Sequence, residues 1–246
     1  MKFPSWMEDL SLQILVRVEL INCKRCHHLP SLGQMPLLKF LKITEMDYVR
    51  YLSDESYSGD DLGRRIFPLL EKLYLEKMIN LEDLLLNVPQ RRQVFPCLVS
   101  MNIKNCDKLT TLPLLPSLQH LDLLNCNKLT TLPLLQSLQH LDLLNCDKLR
   151  TLSLLPSLQH LYLLNCDKLI TLPLLPSLQH LYLQTQNESI PEGMLQSRNL
   201  PVLLEMEFKE CRKLITLPRL SNRLGDLDFR SLKVFRVHSC YAMKYL

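Results

Sequence analysis

Ser117-Leu118-Gln119-His120-Leu121-Asp122-Leu123-Leu124-Asn125-Cys126-Asn127-Lys128-Leu129-Thr130-Thr131-Leu132-Pro133-Leu134-Leu135-Gln136 is followed by close copies of itself opening at Ser137, Ser157 and Ser177. A fixed period of this kind builds a stack of coils, each burying its apolar face only against its neighbours. Within a copy, Leu118, Leu121 and Leu123 take the spacing of a strand entered from a turn. Cys126, Leu129, Leu132 and Pro133 then follow as an extended return.

The same frame runs along the whole chain once the spacing is allowed to vary, with coils opening at Leu15, Leu38, Leu70, Leu98, Leu118, Leu138, Leu158, Leu178, Leu203 and Leu232. The pattern predicts an α/β-class leucine-rich-repeat solenoid of about ten coils, with a parallel sheet on its concave face. Leu112-Pro113, Leu132-Pro133 and Leu172-Pro173 block regular helix, and a twenty-residue coil has no length left for one. The convex side is therefore expected to be irregular or single 3-10 turns. One domain is expected over 1–246, with near-identical repeats at 117–184 and inserted loops at 53–66 and 185–200.

The 29 basic and 25 acidic residues leave a net charge of +4 without a run of five like charges, which gives no reason to expect nucleic acid or an anionic membrane as partner. No apolar stretch approaches eighteen residues, and Glu8, Asp9, Arg17 and Glu19 interrupt the opening segment where a signal peptide would be apolar. The expectation is a cytoplasmic protein, with the nucleus as the other compartment.

Seven of the nine cysteines (Cys23, Cys106, Cys126, Cys146, Cys166, Cys211 and Cys240) hold one repeat position. They are expected to form a buried ladder of reduced thiols that fill space and meet backbone groups. The Cys23-Lys24-Arg25-Cys26-His27-His28 cluster resembles a zinc ligand set but lacks a second ligand pair, so no metal is expected there.

Successive strand residues face opposite sides of the sheet, so the residues between the inward leucines form columns on the concave face. His120, His140, His160 and His180 make one column. Asp122, Asp142, Tyr162 and Tyr182 make the next, and Leu124, Leu144, Leu164 and Gln184 a third, with Asn125, Asn145, Asn165 and Thr185 completing the face. An exposed leucine column beside tyrosines marks a candidate partner-binding surface. Parallel histidines at strand spacing do not converge on a tetrahedral metal, and as like-charged groups they should resist protonation.

Enzyme signatures are absent. With five glycines there is no phosphate-binding loop, there is no H-E-x-x-H, and columns that repeat with the coil do not bring unlike catalytic groups to one place. No cofactor, no catalytic residue and no small-molecule substrate is expected, which leaves recognition of another protein.

Phe3-Pro4-Ser5-Trp6-Met7, Val18-Glu19-Leu20-Ile21-Asn22-Cys23, Leu29-Pro30-Ser31-Leu32-Gly33-Gln34-Met35-Pro36-Leu37-Leu38-Lys39 and Phe67-Pro68-Leu69-Leu70-Glu71-Lys72-Leu73 resemble the leucine-rich-repeat region of plant nucleotide-binding disease-resistance proteins of the coiled-coil type. That resemblance implies a protein partner: a pathogen effector, a guarded host protein or the receptor's own switch domain. It also implies specificity on the outward strand positions. The coiled-coil and nucleotide-binding modules of that family do not occur in this sequence, so nucleotide switching is not expected of it, and a fragment or truncated product fits its bounds. The alternatives are a substrate-receptor module for ubiquitin ligation, for which no F-box segment is found, and a nonfunctional remnant.

Overall fold

The computed structural model describes residues 3, 12–52, 65–86, 93–216 and 229–244. Most of the 53–66 insertion and Pro4 to Met7 lie outside the described residues. Ten five-residue strands follow in chain order: β1 (Arg17–Ile21), β2 (Phe40–Thr44), β3 (Lys72–Glu76), β4 (Ser100–Lys104), β5 (His120–Leu124), β6 (His140–Leu144), β7 (His160–Leu164), β8 (His180–Gln184), β9 (Glu205–Lys209) and β10 (Val234–His238). They pair in parallel with their sequence neighbours as one ten-stranded sheet in the order β1 to β10. Each strand opens two residues after its frame leucine, in the irregular coils as well as the central ones. The chain is a leucine-rich-repeat solenoid.

Registration is set by the second and fourth residues of each strand. Leu121, Leu141, Leu161 and Leu181 pair in sequence, as do Leu123, Leu143, Leu163 and Leu183, and all are buried. Each buried leucine contributes about 1.5–3 kcal/mol of transfer free energy, and a one-residue slip would turn the whole set to solvent. The return segment adds four more inward leucines per central coil, such as Leu109, Leu112, Leu115 and Leu118. Among the described residues there is no α-helix, and three-residue 3-10 turns stand at Leu32–Gln34, Glu192–Met194 and Ser197–Asn199. The last two fall in the 185–200 stretch, where Gly193 runs so close to the preceding coil that a Cβ would meet the Thr171 Cγ2 at 2.6 Å.

After each strand the chain must turn away from the sheet, and after nine of the ten it does so through one left-handed residue. Asn22, Glu45, Lys77, Asn105, Asn125, Asn145, Asn165, Glu210 and Ser239 all have φ between 52° and 58°. Asparagine tolerates this region best after glycine. Its amide here does further work. The Nδ2 of Asn125 donates to Asn105 Oδ1 at 2.6 Å, Asn145 to Asn125 at 2.7 Å, and Asn165 to Asn145 at 3.1 Å, forming a ladder across coils. At the same position nearer the N-terminus, Lys77 Nζ meets Glu45 Oε1 at 2.8 Å, so an ion pair replaces an amide rung. Thr185 breaks the series and has no left-handed backbone. Its hydroxyl donates to Asp167 Oδ1 at 2.6 Å, and Asn165 Oδ1 is left buried without a partner.

Cys106, Cys126, Cys146, Cys166 and Cys211 are buried as a ladder, while Cys23 and Cys240 at its ends are partly exposed. Each sulfur approaches the carbonyl two residues earlier, and four of the five buried ones also reach a carbonyl of the preceding coil. The Cys166 thiol lies 3.6 Å from the Leu164 oxygen and 3.4 Å from that of Leu143. Burial pushes the Cys106 and Cys126 thiols up to about 12. They are packing groups that satisfy carbonyls, and all nine cysteines are free.

Phe67 and Phe95 enter β3 and β4 at the position of Leu115 in the central coils. Both are fully buried and stack at 4.9 Å, and both carry a left-handed backbone (φ 52° and 51°) ahead of a proline. Left-handed backbone costs a bulky residue about 1–2 kcal/mol, which a buried aromatic pair offsets.

Candidate functional site

The sheet's first, third and fifth strand positions face away from the leucine core and form columns across the coils. Along the first position, His120, His140, His160 and His180 lie in register on β5 to β8. Their rings stack with centroids 4.6, 4.3 and 4.4 Å apart and interplanar angles of 18°, 6° and 1°. The stack closes on β9, where His180 Nδ1 sits 3.5 Å from Glu205 Oε2, itself 3.2 Å from Arg236 Nη1. Stacking partly covers each inner ring. Burial and the neighbouring imidazoles hold His140 and His160 below the ordinary histidine value, with Asp122 opposing the shift at His140. Faces laid flat on one another direct no set of ring nitrogens at a common point, and among the described residues no group of three or more His, Cys, Asp or Glu could hold a metal ion.

Along the third position run Asp122, Asp142, Tyr162 and Tyr182, followed by Glu207 on β9. Asn102 Nδ2 donates to Asp122 Oδ2 at 2.7 Å from β4. Asp142, directly opposite Asp122, is pushed up to about 6 by burial first and by the Asp122 carboxyl second. Tyr162 is exposed, and its ring lies 5.5 Å from that of Tyr182 at 32°. The face therefore offers two adjacent carboxylates, then two phenol rings, over four neighbouring strands.

Along the fifth position Leu124, Leu144 and Leu164 are only partly exposed, and Gln184 ends their column. The column expected to be exposed is thus half-buried, with Leu124, Leu144 and Leu164 in register on adjacent strands about 4.8 Å apart. The Asn column is also less a recognition surface than a hydrogen-bonded seam at the strand ends. Among the described residues the leucines with the greatest exposure lie elsewhere, at Leu114, Leu134, Leu154 and Leu174 on the outer side of the return segments (67%, 46%, 57% and 46%). Sequence reading missed them because in Leu114-Leu115 nothing but the backbone decides which leucine turns inward.

The charged positions on the early coils form pairs instead of a continuous field. Arg17 stands 2.6 Å from Glu19 and 3.7 Å over the Phe40 ring, and Lys39 stands 2.8 Å from Glu71. On the lateral edge, Asp107 accepts from Asn127 Nδ2 at 2.9 Å, tying that turn to the next coil. A cavity of about 30 Å³ beside β8, lined by Cys166, Asp167, Leu183, Thr185, Ile190 and Met194, has room for about one water. The arrangement suits an open sheet that receives a macromolecular surface.

The fold and columns define a leucine-rich-repeat protein, a class whose members are typically protein-interaction modules. More particularly, the chain is similar to the leucine-rich-repeat region of plant disease-resistance proteins. The family described as R13L1/DRL21 leucine-rich repeats matches residues 1–46. An RPP13-like protein of Arabidopsis thaliana named for disease resistance is 35% identical over 122 residues, 47% of this chain and 12% of that protein. Disease resistance protein RGA2 of Solanum bulbocastanum is 31% identical over 111 residues, 44% of this chain and 11% of that protein. The chain thus corresponds to about an eighth or less of those relatives' length. A leucine-rich repeat protein of Bacteroides ovatus aligns over 99% of this chain and 76% of its own, at 11% identity and a TM-score of 0.32, and adds nothing to a fold the ten strands already define. No helix among the described residues is long and apolar enough to cross a membrane.

Proposed function

We propose that the chain, acting as one unit over 1–246, is a protein-recognition module of plant defence, working in the cytoplasm without catalysis or cofactor. Its concave columns bind a pathogen effector, a guarded host protein or a switch domain of the same receptor system. The similarity to plant disease-resistance proteins carries the reading. The contiguous His, Asp/Tyr and Leu columns on β5 to β8 supply its surface, with His120, Asp122, Leu124, His140, Asp142, Leu144, His160, Tyr162, Leu164, His180, Tyr182 and Gln184 as the contacting residues. Their side chains are already ordered by strand pairing and stacking, so a partner immobilises little on docking.

The test is proximity labelling in plant cytosol of the parent and of a variant with Leu124, Leu144, Leu164, Tyr162 and Tyr182 changed to Ser. Partners captured by the parent and lost from the folded variant are expected. Identical partner sets, or chaperones alone, would remove the concave face from recognition.

A further inference from the structure

Asp122 and Asp142 sit opposite one another on adjacent parallel strands, in the middle of the sheet. Like charges in that position destabilise a sheet, and here they are partly buried as well. Asp122 accepts from Asn102 Nδ2, the Asp142 carboxyl stands within hydrogen-bond reach of Asp122, and neither carboxyl meets a lysine or arginine among the described residues. The contrast with other concave carboxylates is direct: Glu19 is paired with Arg17, and Glu205 with Arg236. Beside the pair, in the same column, stand the rings of Tyr162 and Tyr182, with Tyr162 39% exposed. A carboxyl pair without a basic partner next to two π faces forms surroundings in which a cationic side chain gains, from charge-assisted hydrogen bonds at its head and ring contact along its stem. Leu144 and Leu164 border the same strip and offer apolar contact to flanking residues.

Taking the concave sheet as the recognition face, we infer that its centre is a cation-accepting subsite: the partner places an arginine or lysine, flanked by apolar residues, against the Asp122–Asp142 pair and over Tyr162. The pair costs the free chain stability, and a cation from the partner would relieve that cost. An acidic partner segment is disfavoured here, since it would face Asp122, Asp142 and Glu207 in one column.

The probe is a fluorescent leucine-arginine-leucine-arginine-leucine peptide, compared with the same peptide carrying uncharged, isosteric citrulline for arginine, both titrated into the full chain at low salt. The arginine peptide is expected to bind about tenfold or more tightly, the scale of a hydrogen bond to a charged group. Asp142→Asn should erase most of that preference while raising the melting temperature, a combination that damage to the fold cannot produce. Equal binding of the two peptides, an arginine preference that survives Asp142→Asn, or no binding of either at millimolar concentration would overturn the subsite. If the citrulline peptide binds as well as the arginine one, and Leu144→Asp abolishes both, the concave face still recognises protein and only the cation is wrong.

Discussion

Asn145 shows how one side chain meets two demands of the coil. Its backbone adopts φ 52° where the strand hands over to the turn, and its amide donates to Asn125 and accepts from Asn165. Asn145→Ala should cost about 2–3 kcal/mol in urea unfolding, combining left-handed strain with two partly buried amide groups left unpaired. Asn145→Gly removes the ladder rung but relaxes the backbone, so it should cost about 1 kcal/mol less than the alanine variant. Equal losses for the two would mean the left-handed turn carries no strain. The recurrence of asparagine was legible in the sequence, but its role was not. Alternation along a strand carries no sign of a left-handed exit, so Asn125, Asn145 and Asn165 read as more surface. Phe67 and Phe95 were hidden for the same reason: a Phe-Pro pair at the coil entrance ordinarily implies extended backbone.

The strands were the most legible elements because their evidence is redundant. Inward leucines recur two apart, and the frame survives substitution by Met206 and Phe208 in β9, both buried. The histidine column was legible as a column, but its face-to-face stacking and its burial emerge only from packing, and these govern its titration. His140 and His160 lie below their ordinary 6.5, so the folded chain binds fewer protons at these sites than the unfolded chain does, and their contribution to stability falls as pH drops below about 6.5. Asp142 works in the opposite sense. Its carboxyl is raised to about 6, so its destabilising contribution is complete above pH 6 and is relieved as pH falls from 6 towards 4. Discounted for solvent at a half-buried site, that contribution is on the order of 1 kcal/mol. The groups facing the stack are Asp122, Asp142, Tyr162, Tyr182 and Glu205. Changing both His140 and His160 to Asn should therefore flatten the decline in melting temperature between pH 7 and pH 5.5. An unchanged slope would show that the column does not titrate as a stack.

At the scale of the molecule, ten coils in one sheet make each strand answer only to its neighbours, so a local change propagates weakly and a surface column can be altered without dismantling the core. The alternate residues of each strand thereby divide the labour: the second and fourth hold the fold, and the first, third and fifth are open to a partner. The similarity to plant disease-resistance proteins gives that open face its proposed role. The most direct measurement is a matched pair of double variants, Leu144→Asp with Leu164→Asp and Leu143→Asp with Leu163→Asp, each assayed for thermal unfolding and for capture of the parent chain's partners. The first should melt cooperatively within a few degrees of the parent and lose its partners. The second, which buries two charges among leucines, should fail to fold. A first variant that unfolds, or one that stays folded and keeps every partner, would contradict the account.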